Sequence, residues 1–299
     1  MAIENRSTRA AVVTMVLSVS ATALLAQTAV KPPKNKYTPK QDVELGREAA
    51  AEVRREYPII ENDRISSYLG TLGDRLVAAA PPDLKEPVYE FSFTPVNFKE
   101  INAFALPGGP MFVNRGMIEA ASSEGEVVGV MAHELSHVLL RHGTANVTKA
   151  QNPWLQLGQI AGVVGGAVVG GSAGSAIVQG SQFGLGTVLL RYGRDYEKQA
   201  DLLGTQIMAR AGYDPRALAR MFETIESESK KNGGSGPQWL SSHPNPGNRT
   251  QYITKEASAL TIATPADDRE FQPIKAAFAS LPTAKSMSDV SRRKSGSRP

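Results

Sequence analysis

The sequence predicts an α+β protein, mostly helical, with a small sheet set among the helices. Three observations carry this. Apolar residues first recur at spacings of three and four, as at Ile65, Leu69, Leu72 and Leu76. The period falls to two between Val88 and Val96, and from Ser123 onward it returns to helical spacing. With 299 residues, 41% hydrophobic and 21% charged, the chain can bury one sizeable core or two small ones, and disorder throughout is excluded.

In chain order, Arg6 and Arg9 precede an uncharged run from Ala10 to Val30 with small residues at Ala21, Ala23 and Ala26. This is the order of a signal peptide over residues 1–26. The alternative is an uncleaved N-terminal anchor, because a membrane span needs about 20 residues. Either way the body is expected to be extracytoplasmic, in the periplasm. Residues 27–40 read as a Pro- and Lys-rich linker, with Thr38 and Pro39 opening a helix as N-cap and first-turn proline. Helices are expected over 39–56 and 62–79. Strands are expected over Val88–Val96, Ile101–Leu106 and Met111–Val113, the last two joined by the turn Pro107-Gly108-Gly109-Pro110.

The next helix begins at a Ser123 cap, carries Glu124 and Glu126 in its first turn and Arg141 and His142 in its last, and stops at Gly143. A further helical pattern covers 186–212. One domain is expected over 41–262, followed by a largely disordered basic tail over 263–299 with a short helix near Phe271 to Phe278. No charged residue falls between Ala150 and Leu190, and Gly162, Gly166, Gly170 and Gly174 repeat every four positions. That stripe reads as a close-packed helix or hairpin, or as a lid or membrane-touching element. Membrane contact is accordingly expected through the N-terminus or segment 158–186.

The net charge of +4 narrows on inspection. Its excess sits in the N-terminal signal and in Lys285, Arg292, Arg293, Lys294 and Arg298, leaving the body near neutral. With two Trp and no basic stretch interleaved with aromatics, no nucleic-acid partner is expected. The absence of Cys excludes a disulfide framework, a thiol nucleophile and a Cys-ligated zinc ribbon.

The chemistry concentrates at residues 131–143, MAHELSHVLLRHG, which contain the H-E-x-x-H pattern at His133, Glu134 and His137. Positions i and i+4 share a helical face, so both imidazoles can meet one Zn²⁺. Glu134, about 100° around the helix, suits a base acting on water better than a third ligand. Catalytic zinc takes three protein ligands, and with no Cys the third is expected to be a carboxylate. Glu197 and Asp201 stand at i, i+4 in RDYEKQADLLG. Glu197 is assigned as ligand and Asp201 as the acceptor that orients a ligand imidazole.

With these residues in view, the chain resembles the gluzincin metallopeptidases of the CAAX-prenyl-protease and HtpX type, most of all their exported BepA-like and LoiP-like members. The resemblance covers about residues 40–250 and rests on NAFALPGG (102–109), HELSH (133–137), EKQAD (197–201) and SSHPNPGNR (241–249). It implies a zincin-like domain whose sheet packs on the HExxH helix, one Zn²⁺ per chain, and endopeptidase activity on polypeptides, misfolded or envelope proteins among them. It implies that Asn102, Ala103, Phe104 and Ala105 form an edge strand pairing with the substrate backbone. It gives His243 the role of oxyanion stabiliser or removable extra zinc ligand, and Arg249 that of ordering the loop or the carboxylate ligands. Three family features are missing: a helical-repeat region, a lipidated Cys and a multi-span membrane part. The competing expectation is a latent, zinc-containing, chaperone-like binding protein with little proteolysis.

Overall fold

The structure, a computed structural model, describes residues 27–150, 192–231, 239, 243 and 247–287. The signal, the uncharged glycine-rich segment and the end of the tail therefore lie outside the described residues.

Helix α1 spans Pro39–Glu56 and begins as expected: the Thr38 hydroxyl accepts from Gln41 N–H, and the Gln41 side chain returns the bond to the Thr38 backbone. Helix α2, Asp63–Ala79, buries the Ile65, Leu69, Leu72, Leu76 stripe. Three strands follow, β1 (Ser92–Val96), β2 (Ala103–Ala105) and β3 (Pro110–Asn114), in the spatial order β1-β3-β2. β1 runs parallel to β3, and β2 runs antiparallel to it with Phe104 opposite Phe112. All three differ in length from the sequence pattern. Residues 88–91 lie outside β1, with Val88 exposed, and β2 is confined to its central three residues.

Alternation splits the sheet's side chains between two cores. Ala103, Ala105, Met111 and Val113 enter the main core, while Phe104, Leu106 and Phe112 pack with Ala50 and Phe98 beside α1. The tight β2–β3 turn is possible because Gly108 and Gly109 adopt φ of +79° and +128°.

After the short α3 (Arg115–Ala120), helix α4 (Glu124–Leu139) runs through the centre and is buried on nearly every side. Helices α6 (Arg194–Arg210) and α7 (Arg216–Lys231) pack across it. Close approach depends on two glycines: a Cβ on Gly129 would stand 2.8 Å from Leu218 Cα, and one on Gly204 would stand 3.1 Å from His133 N. Helix α8 (Arg249–Ser258) covers α6, and α9 (Phe271–Ala277) closes the core.

Ser123 occupies the N-cap of α4 without a side-chain cap bond. The helix start is held instead by Glu126, whose Oε2 accepts from Ser122 N–H, and by Glu124, which accepts from the Tyr68 and Tyr213 hydroxyls at 2.8 Å each. Burial raises the Glu124 pKa above its ordinary 4.5, and the two hydroxyls only partly offset this. The folded chain thus binds this proton more tightly than the unfolded chain. The contribution is complete below pH 4.5 and fades as pH rises through the folded value. Urea midpoints of the parent should therefore lose ground to those of Glu124→Gln as pH rises from 4 to 7, and a pH-independent difference would refute this account.

The end of α4 departs from expectation. Gly143 does not stop the helix: α4 ends at Leu139, Arg141 takes φ +57°, and α5 (His142–Ala150) begins at once with Gly143 inside it. A left-handed arginine is held there by its own side chain, which donates to Asp42 Oδ2 and to the Tyr37 carbonyl, each at 2.6 Å.

Both flanking regions also pack more than their composition implies. In the segment read as a linker, Thr28 donates to Glu256 and its carbonyl accepts from Gln206, while Asn35 donates to Thr144. Within the expected tail, the short helix near Phe271 to Phe278 forms as α9, with Phe271, Ile274 and Phe278 buried, and Lys285 bridges to Phe98. Three well-spaced apolar side chains suffice to dock a polar segment. Among the described residues, no helix is long and apolar enough to cross a membrane.

Candidate metal centre

His133, Glu134 and His137 sit in the middle of α4, where burial leaves each at most 2% exposed. Glu197 and Asp201, one turn apart on α6, face the two imidazoles and are fully buried. His133 Nε2 lies 3.0 Å from His137 Nε2, 3.6 Å separates it from Glu197 Oε2, and 3.5 Å separates His137 Nε2 from Glu197 Oε1. Ligands about 2.0–2.1 Å from a tetrahedral zinc stand about 3.3 Å from one another, so these separations suit one ion. Glu197 Oε1 is buried with no hydrogen-bond partner among the described residues, which fits a donor reserved for a metal. Burial holds His133 and His137 well below the usual imidazole range, leaving both neutral as ligands must be.

Around this group the supporting bonds are specific. Asp201 Oδ1 lies 2.8 Å from His133 Nδ1, and because a carboxylate only accepts, Nδ1 carries the proton and Nε2 points its lone pair inward. Asp201 is itself held by Arg249 (Nε–Oδ2 2.9 Å, Nη2–Oδ1 2.8 Å) and by the Tyr252 hydroxyl. Arg249 also reaches Glu197 Oε2 at 3.0 Å and lies over Phe222, 3.8 Å from the ring centre. Burial opposes the Arg249 charge, but Asp201 and Glu197 together raise its pKa.

Glu134 points at the same space. Its Oε2 accepts from Ala105 N–H at 3.2 Å and its Oε1 from Trp239 Nε1 at 3.4 Å. Strand alternation explains the first contact. The Asn102 carbonyl accepts from Asn114 N–H and the Leu106 N–H donates to the Pro110 carbonyl, both on β3, so the polar groups of Ala103 and Ala105 face the opposite, outer edge of β2. Burial, with the charge of Glu197 beside it, holds Glu134 well above the usual carboxylate range, and Glu197 itself is pushed up to about 7 by burial.

His243 completes a group of four donors with His133, His137 and Glu197, all within 4.8 Å of one another. Its Nδ1 lies 3.2 Å from the Trp239 carbonyl, its ring stacks on the Trp239 indole, and its Nε2 is 3.2 Å from Glu134 Oε1. Burial pushes its pKa down to about 3.

His133, Glu134, His137, Glu197, Asp201, His243 and Arg249 thus come to one place, with the Ala105 amide of β2 beside them, whereas Asn102 precedes β2 and Phe104 packs into the second core. Among the described residues of the site, Trp239, Phe222, Tyr252, His142 and Tyr192, whose ring stacks on His137 at 3.8 Å, carry no motif. Trp239 and Tyr252 stand one helical turn from His243 and Arg249, and that spacing is the only trace they leave in the sequence.

Two imidazoles and a carboxylate converging on one point, beside a second carboxylate tethered to an edge strand, define the zinc metallopeptidase class. The profile of Peptidase family M48 matches residues 67–257, and the chain belongs to that family, whose metal is zinc. It is 28% identical over 238 residues to the beta-barrel assembly-enhancing protease of Escherichia coli, covering 79% of this chain and 48% of that protein. It is 29% identical over 234 residues to the protein of the same name in Yersinia pestis, covering 77% and 47%. The mitochondrial metalloendopeptidase OMA1 of Saccharomyces cerevisiae is 29% identical over 157 residues, covering 52% and 43%. The chain spans about half the length of these curated relatives.

Proposed function

We propose that this chain is an exported zinc-dependent endopeptidase that cuts polypeptides captured in extended form along β2. The observation that carries the reading is the placement of Glu134, bonded to the Ala105 backbone of that edge strand and beside the metal donors. His133, His137 and Glu197 would hold the ion, and Asp201 and Arg249 would orient them. Zinc bound there supplies Lewis-acid polarisation of a carbonyl and lowers the pKa of water. Glu134 takes the proton from the attacking water and delivers it to the leaving amine. The outer edge of β2 binds the substrate backbone by strand addition, which places the scissile bond over Glu134.

The domain of 41–262 following a cleaved signal, and a periplasmic location, belong to this proposal. So do misfolded or envelope proteins as substrates, a reading in keeping with relatives named for β-barrel assembly. Contact with the membrane would come through the N-terminus or segment 158–186.

One observation favours a latent state. His243 stands with His133, His137 and Glu197 in one buried group of donors, all within 4.8 Å of one another. As a fourth ligand, His243 would close the coordination sphere. The zinc-loaded protein should cut an unfolded polypeptide internally, lose this on chelation and regain it with Zn²⁺. His243→Ala should cut several-fold faster. If neither parent nor variant cuts, the latent, chaperone-like binding protein becomes the better reading.

A further inference from the structure

We propose that His142 is the positioning residue of the ligand His137, fixing its proton on Nδ1 through a hydrogen-bonded chain that starts at the Lys31 carbonyl. This rests on the zinc-peptidase reading of His137.

The chain is short and each link decides the next. Gln199 Nε2 lies 3.3 Å from the Lys31 carbonyl oxygen, which only accepts, so the amide group faces Lys31 and Gln199 Oε1 faces His142. His142 Nε2 is 3.1 Å from that oxygen and must donate to it. A neutral imidazole has one N–H, so His142 Nδ1 is left as an acceptor. It lies 2.9 Å from His137 Nδ1, which therefore carries the proton, and His137 Nε2 turns its lone pair to the metal position. The two ligand imidazoles are thus set differently: His133 by the charged Asp201, and His137 by a neutral relay.

Local backbone geometry makes this contact. Five residues along a straight helix would carry His142 about 140° around from His137, out of reach. The left-handed Arg141 breaks α4 and folds the first residue of α5 back over it. There His142 is fully buried, and it stacks on Tyr196 at 4.4 Å with ring planes 3° apart. That stacking fixes the ring plane and keeps Nδ1 aimed at His137.

Zinc affinity, read by competition with a chromophoric chelator, tests the assignment. His142→Leu removes the acceptor and should weaken zinc binding by about 10- to 100-fold. His142→Asn places Oδ1 where Nδ1 stood, so its affinity should stay within about threefold of the parent. Histidine ¹⁵N shifts of the zinc-loaded parent should show His142 as the Nε2–H tautomer and His137 protonated at Nδ1, a readout independent of whether the Leu variant folds. Unchanged affinity in His142→Leu, or His142 protonated at Nδ1, overturns the proposal and leaves the metal centre standing. A parent that binds no zinc overturns both.

Discussion

Glu134→Gln is expected to bind zinc at the parent's stoichiometry while losing cleavage of an unfolded test protein by about 10²- to 10⁴-fold, the usual contribution of a positioned general base. The substitution keeps the shape of the side chain. Its amide oxygen can still accept from Ala105 N–H, while its NH₂ takes the place of Oε1 and gives up the 3.4 Å contact with Trp239 Nε1. What the amide cannot do is take a proton from water. None of the three metal donors is touched, because Glu134 lies on a different side of α4 from the line joining His133 and His137. Zinc content and the rate of fragment appearance, measured on the same preparation, check this. Cleavage at the parental rate would remove Glu134 from the chemistry.

Arg249→Leu carries the largest expected cost in stability. The guanidinium is 3% exposed and binds two fully buried carboxylates, Asp201 and Glu197, with the ring of Phe222 beneath it. Removing the cation leaves the aliphatic packing but strands the negative charge. Breaking a buried ion pair from one side costs about 3–5 kcal/mol. Zinc would balance part of the charge on Glu197, so the loss should be larger in chelator than in the zinc-loaded protein. Urea unfolding of parent and variant in both states gives the comparison. A loss below about 1 kcal/mol in chelator would show that Arg249 does not carry the two carboxylates.

Much of this centre was legible in local sequence because its spacing is helical. His133 and His137 at i, i+4 and Glu197 and Asp201 at i, i+4 each declare one helix face without knowledge of any partner. Helices α1 and α2 were equally readable, the first from its Thr38–Pro39 cap and the second from its Ile65 to Leu76 stripe. The misread elements share a cause. Gly143 looked like a helix stop by composition, but the αL position fell to Arg141, whose conformation is held by Asp42, a residue 99 positions away. The short helix near Phe271 to Phe278 was legible, but its docking through Phe271, Ile274 and Phe278 on the main core was not. β1 begins only at Ser92, where pairing with β3 starts, although the alternation of side chains begins earlier.

By itself, then, the sequence determined which residue types stand on which helix faces and, through H-E-x-x-H with two downstream carboxylates, that the chain holds a metal. Those are consequences of a period of 3.6 residues, a property of each helix alone. Only the tertiary structure decided how the donors are held. The crossing of α6 over α4 aims Asp201 at His133, the outer edge of β2 meets Glu134 through a backbone amide that no side-chain pattern encodes, and the turn at Arg141 brings His142 against His137. The tautomer of each imidazole follows from partners 5 to 68 residues away in the chain, because hydrogen bonds act across about 3 Å of space and take no account of sequence distance.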